Sequence, residues 1–142
     1  MSMRINISGS SDLLRLPPGE DLLVGLYRIC REWGISFGVF TATGSVRSAT
    51  LGHLDQECGK VCRQILEVEQ ELVHCGGNIS LQEGSLSIRA HAVLSDRQGR
   101  VSAGELLAAE VHVVELFVQA LKGTPPTRAP DPETGLWLWP VA

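Results

Sequence analysis

The sequence predicts an α+β fold of one unit, with one main amphipathic helix near the N-terminus and strands through most of the remaining chain. Three observations carry this expectation. Apolar residues recur at helical spacing after a Pro-Pro-Gly lead-in, β-branched runs broken by glycine follow from Ile35, and Ser87 to Ser95 alternates apolar and polar at every second residue. A chain of 142 residues fits a single domain spanning 1–142, long enough to bury roughly two thirds of its unfolded surface without disulfides or a structural metal.

The helix comes first. Leu16-Pro17-Pro18-Gly19-Glu20-Asp21 is a rigid lead-in whose acidic residues suit a helix N-terminus through capping and the dipole. Leu22, Leu23, Leu26, Ile29, Cys30 and Trp33 then share one face, Arg28, Arg31 and Glu32 lie elsewhere, and Gly34 is placed to end it. Ile35 to Thr43 and Val46 to His53 read as two strands, or one strand bent at Gly44-Ser45. Glu67 to Leu81 is a further strand region, in which Gly76-Gly77-Asn78 permits a bulge or a close backbone approach. Gly84 turns the chain into Ser87 to Ser95.

Asp96-Arg97-Gln98-Gly99 reads as a turn that returns the chain antiparallel through Arg100. From Ala109 to Val118, Val111, Val113, Glu115 and Phe117 alternate with His112, Val114, Leu116 and Val118. Apolar residues on both sides predict a strand covered on both faces, by a helix and by a partner subunit. The segment 122–142 contains Pro125, Pro126, Pro130 and Pro132 and is expected to hold little regular structure before Leu136. Trp137 and Trp139 are costly to leave in water, so it is expected to pack back onto the domain or a neighbour.

The alternation from Ser87 also selects the candidate site. Ile88, Ala90, Ala92 and Leu94 take one face, so Arg89 and His91 project together from the other, and the return strand brings Glu105 toward them. Arg89 suits a carboxylate or phosphate through a bidentate contact, with His91 as a second donor or proton carrier; alternatively it pairs with Glu105. Ser45, in Thr43-Gly44-Ser45, offers a hydroxyl and a backbone amide to a pocket, without a nucleophile elbow, triad or phosphate-loop spacing. Glu110 and Glu115 flank His112, but simple alternation separates Glu115 from it.

Composition removes several classes of function. A net charge of -4 gives no general attraction for phosphate backbones. Met1 to Asn6 lacks the apolar core of a signal peptide, and no window approaches the length of a membrane span, so a cytoplasmic protein is expected. Cys30, Cys58, Cys62 and Cys75 then read as free thiols. Cys58 and Cys62 with His53, His74 or Cys75 form only a weak zinc pattern.

Five blocks in order carry a family resemblance. They are Leu16 to Leu23, Thr41 to Gly52, Gly77-Asn78-Ile79-Ser80-Leu81, His91 to Asp96 and Asp131-Pro132-Glu133-Thr134-Gly135-Leu136. The chain resembles the plants-and-prokaryotes conserved (PPC) domain, which stands alone in bacteria and archaea and is joined to AT-hooks in plant nuclear proteins. The resemblance implies a mostly antiparallel sheet, a homotrimer and the family's DNA-binding label. Family members commonly carry His-x-His and Gly-Gly-His-Leu, three imidazoles that look like metal ligands. The matching positions here are Arg89, His91 and Ala103-Gly104-Glu105-Leu106. A guanidinium cannot donate a lone pair to a metal, so no cofactor is expected; zinc or another divalent ion would have to rest on His91 and Glu105.

Three functions follow as expectations. The favoured one is a non-enzymatic homotrimeric module that binds a partner protein or small anionic ligand at Arg89, His91, Glu105 and Ser45, without catalytic residues. DNA binding is the second, though the Arg-Gly-Arg-Pro core of an AT-hook is absent. A metal-dependent enzyme at His91 and Glu105 is the third.

Overall fold

A computed structural model describes residues 5–8 and 11–142. Met1 to Arg4, part of the segment read for a leader, lie outside the described residues. The elements run β1 (Ile5–Ser8), β2 (Ser11–Leu16), α1 (Leu22–Trp33), β3 (Gly38–Leu54), β4 (Val61–Leu66) and β5 (Gln70–Gln82), then β6 (Ser85–Ser95), β7 (Val101–Ala120), β8 (Thr127–Pro130) and β9 (Trp137–Leu138). The result is α+β, mostly sheet with one short helix.

The helix forms where capping chemistry places it. Asp21 Oδ1 accepts from Val24 N at 3.0 Å, and Oδ2 accepts from Ala109 N on β7 at 2.9 Å, so one carboxylate both caps α1 and ties it to the sheet. Gly34, at φ 66°, closes the other end, and the Ile35 amide donates to the Cys30 carbonyl at 2.8 Å. Leu22, Leu26 and Ile29 are fully buried, each contributing about 2 kcal/mol of apolar transfer. Tyr27 completes the docking by accepting the Ile88 amide of β6 on its hydroxyl at 3.0 Å.

Pairings of β3 with β5, β5 with β6, β6 with β7 and β7 with β3 form a closed circuit, all antiparallel. β2 extends it from β7, and β4 pairs with the second half of β3. Among the described residues only β8 runs parallel to its neighbour, β5. The core gathers Phe40, Val46, Leu51, Leu72, Ile79, Leu94, Leu106, Val111 and Leu116 with the buried helix face.

Several expectations are refined. β3 is one strand, whose irregularities between Ala42 and Ser48 absorb the expected break. In β5 the register shift falls between Leu72 and His74, whereas Gly77 serves a close approach: a Cβ there would stand 1.8 Å from the Arg89 carbonyl oxygen. Glycine is required because β6 crosses too near for a methyl group. β4 was not expected at all.

β7 corrects the alternation read from Ala109. Ser45 pairs with Val113 and Val46 with Val111, leaving His112 as an extra residue on β7. The phase slips there, so Val111, Val114, Leu116 and Val118 are buried while His112, Val113 and Glu115 are exposed. Within one chain β7 is therefore covered on one face rather than two, and His112 and Glu115 share the open side. The proline-rich segment also holds more regular structure than expected, because Thr127 and Arg128 pair with Leu81 and Gln82 before Pro130 ends the strand.

Candidate functional site

The alternation of β6 behaves as its sequence dictates. Ile88, Ala90, Ala92 and Leu94 point into the core, and Arg89, His91 and Val93 point out. His91 stands opposite Gly76 on β5 and Glu105 on β7, and Arg89 stands opposite Asn78. Directly registered residues put their side chains on the same face of a sheet, so Arg89, His91 and Glu105 share one outer surface. Gly76, registered with His91, adds no side chain to that surface, whereas Gly77 is registered with the buried Ala90 and faces the core. Gly104 is equally constrained: a Cβ there would lie 2.9 Å from the Gly52 carbonyl oxygen and 3.0 Å from the His53 ring.

The proposed pairing of Arg89 with Glu105 is not formed. Arg89 Nη2 donates instead to the carbonyl oxygen of Trp137, and no ion pair joins Arg89 to Glu105 among the described residues. The physical reason is the tail. Residues 127–138 fold back beside β5 through β8 and β9 and present a backbone acceptor to the guanidinium.

That fold-back adds residues that sequence reasoning missed. Arg128 is 6% exposed, and its Nη2 donates to Asn78 Oδ1 at 2.6 Å. Its guanidinium lies 4.7 Å from the centroid of the Trp139 ring, which is held by Nε1 donation to Ser80 Oγ at 3.0 Å. Burial, and next the positive charge of Arg89, pull the Arg128 pKa below its ordinary value, while Glu105 acts in the opposite sense. The available signal was a single arginine inside Pro125-Pro126-Thr127-Arg128-Ala129-Pro130, a stretch otherwise without charge.

Ser45 lies elsewhere. On β3 the row of Gly76 and His91 meets Thr41, four residues from Ser45, which is roughly 13 Å along a strand. Ser45 Oγ and His112 Nδ1 are 2.9 Å apart, at a groove of about 780 Å³ also lined by Arg47, Glu71 and Arg97. His112 has no second hydrogen-bond partner among the described residues, so the pair lacks the orienting acid of a nucleophile and base.

The donor chemistry does not fit the metal that the family pattern implies. Among the described residues no three His, Cys, Asp or Glu side chains stand close enough to share an ion, and two permanent cations adjoin His91 and Glu105. Cys30 and Cys75 are buried, and burial pushes their thiols up to about 11 and about 12, whereas Cys58 and Cys62 are exposed. No helix among the described residues is long and apolar enough to cross a membrane.

Comparison with known proteins agrees with this architecture. Residues 4–122 match the family model of the Plants and Prokaryotes Conserved (PCC) domain. The chain is similar to a metal-containing protein of Archaeoglobus fulgidus, at 35% identity over 99% of this chain and 100% of that one, with a TM-score of 0.90. It is also similar to a plant- and prokaryote-conserved protein of Pyrococcus horikoshii, at 32% identity over 100% of this chain and 96% of that one, with a TM-score of 0.90. A protein of Bacteroides thetaiotaomicron, provisionally labelled DNA-binding, shares the fold at 20% identity, covering 99% of this chain and 97% of its own, with a TM-score of 0.91. No curated protein matches the sequence.

Proposed function

The chain belongs to the Plants and Prokaryotes Conserved domain family, and on that premise we propose that it is a non-enzymatic, cytoplasmic homotrimer that binds a partner protein or small anionic ligand at a subunit boundary. The observation that carries this reading is Arg89 beside His91 on the open face of β6, at a position where a lone-pair donor would be needed for metal chemistry. His91 and Glu105 flank it, one as a titratable donor and the other as an acceptor that discriminates among ligands. Ser45 belongs to a separate groove and is a secondary contact. Self-association is supported by Leu54, Val61 and Ile65, which lie on paired strands β3 and β4 and are 43%, 47% and 66% exposed in one chain.

Two other readings have specific support. The provisional DNA-binding label of the Bacteroides thetaiotaomicron protein favours nucleic acid, against which stands the net charge of -4. The metal-containing Archaeoglobus fulgidus relative favours a metal-dependent enzyme at His91 and Glu105, which would need a further ligand from another subunit. A thermal-shift series with small carboxylates and phosphates on the wild type and Arg89→Gln tests the main reading. Stabilisation of the wild type that is lost in the variant supports it. Tight duplex-DNA binding that weakens steeply with salt, with no response to small anions, would replace it.

A further inference from the structure

The tail brings a second guanidinium to the Arg89 face, and its surroundings do not neutralise it. Arg128 is only 6% exposed, yet the one hydrogen bond its guanidinium makes among the described residues is that to Asn78 Oδ1. Its Nε is buried without a hydrogen-bond partner among the described residues. Asn78 is also the register partner of Arg89, so Arg89 and the residue that holds Arg128 share one outer surface. Glu105 is the carboxylate that acts on Arg128, which leaves two permanent cations against one anion. An enclosed cation with an unused donor is costly to maintain by folding alone, and native structures rarely keep one without a role.

We propose that Arg89 and Arg128 together form an oxyanion site that takes the carboxylate or phosphate group of a small molecule, with residues 137–139 as its strap. The Trp137 carbonyl oxygen occupies the Arg89 donor that a ligand oxygen would use. The Trp139 ring lies over Arg128 but keeps 38% exposure and a single hydrogen bond to Ser80. An incoming anion exchanges a neutral backbone acceptor for a charged one at Arg89, displaces the Trp139 ring and reaches the unused edge of Arg128. Two planar guanidiniums suit a bidentate or bridged oxyanion better than ammonium groups do. His91 adds a third donor when protonated. This inference rests on the small-anion reading of Arg89, and adds the second cation, the ligand class and the moving segment.

The test titrates the full chain with inorganic phosphate and, separately, with malonate at fixed ionic strength, followed by calorimetry and tryptophan fluorescence. Wild type is compared with Arg89→Gln, Arg128→Gln and Arg128→Lys. Saturable binding of one anion is expected, with a fluorescence change from the displaced strap, and the preferred anion identifies the oxyanion class. Affinity should fall about tenfold or more in each glutamine variant and less in Arg128→Lys. Binding lost in Arg89→Gln but intact in Arg128→Gln overturns this inference and leaves the Arg89 reading standing. Binding lost only in Arg128→Gln overturns the Arg89 reading and the two-arginine site with it. A wild type that ignores both anions, as it would if a neighbouring subunit's carboxylate filled the site, also overturns it. Should Arg128→Gln fail to fold, the Arg128 Nε–H resonance of the wild type is followed instead. Movement during titration supports the site, and a fixed resonance sinks it.

Discussion

Replacing Gly77 by alanine tests how tightly the sheet is drawn together behind Arg89. The added Cβ would meet the Arg89 carbonyl oxygen at 1.8 Å, its carbonyl carbon at 2.8 Å and Ala90 Cα at 3.0 Å. A carbon and an oxygen settle near about 3.3 Å even in close strand contacts, so β6 must retreat by about 1.5 Å. The obstructing atoms are backbone, and no rotamer change relieves them. Losing about two ladder hydrogen bonds at about 1 kcal/mol each, plus overpacking of about 1–2 kcal/mol, gives a cost near 3–4 kcal/mol. For a chain of this size that corresponds to a fall in Tm of about 10 °C. Urea unfolding at one protein concentration measures it, with Gly84→Ala as comparator. Gly84 has φ +77° but nothing within 4 Å of a Cβ, so its cost is confined to backbone strain of about 1 kcal/mol. If Gly77→Ala costs less than about 1 kcal/mol at an unchanged m-value, the close approach of β5 and β6 is wrong.

Further predictions concern the cap, the thiols and the acid limb. Asp21→Ala removes both the Val24 cap and the Ala109 tie and should cost about 2 kcal/mol by urea unfolding; Asp21→Asn, which keeps one carbonyl acceptor, should cost less. At pH 8 the native protein should react with a thiol reagent at Cys58 and Cys62, while Cys30 and Cys75, held at about 11 and about 12 by burial, react only after unfolding; peptide mapping of the adducts decides it. Asp96 is held below its ordinary value of 3.8, first by the Arg100 backbone amide, and Asp131 likewise by the Thr134 hydroxyl. Because the folded pKa is the lower one, their contribution is present above the ordinary value of 3.8 and is lost as pH falls below it through the folded pKa. Carboxyl NMR titration should place both below 3.8, and ordinary midpoints would refute the assignment. A double-mutant cycle of Arg89→Gln with Glu105→Gln, read by urea unfolding, should show only the weak coupling that both owe to Arg128 and not that of a direct ion pair.

How much of this was legible in the sequence varies with how local the determinant is. Asp21 and Gly34 bound α1 because capping is settled within a few residues, and β6 was legible because Ile88 to Leu94 is buried on one face only. β4 was not, since Val61-Cys62-Arg63-Gln64-Ile65-Leu66 is a largely exposed strand paired, among the described residues, only to β3 and has no core-facing alternation to announce it. The slip at His112 comes from pairing with β3, and neither glycine nor proline marks it within β7. Arg89, His91 and Glu105 were placed on one face from a turn and a two-residue period. Arg128 was invisible because it reaches them through a parallel pairing between β8 and β5, some 46 residues apart at Leu81 and Thr127, which no local pattern encodes.

Native mass spectrometry of the untagged full chain decides between a homotrimeric module whose Arg89 face takes anions and one that holds a metal. Three chains per particle, no stoichiometric metal, and added mass when malonate or phosphate is supplied are expected. A monomer, or a species carrying one metal ion per chain, would contradict that expectation.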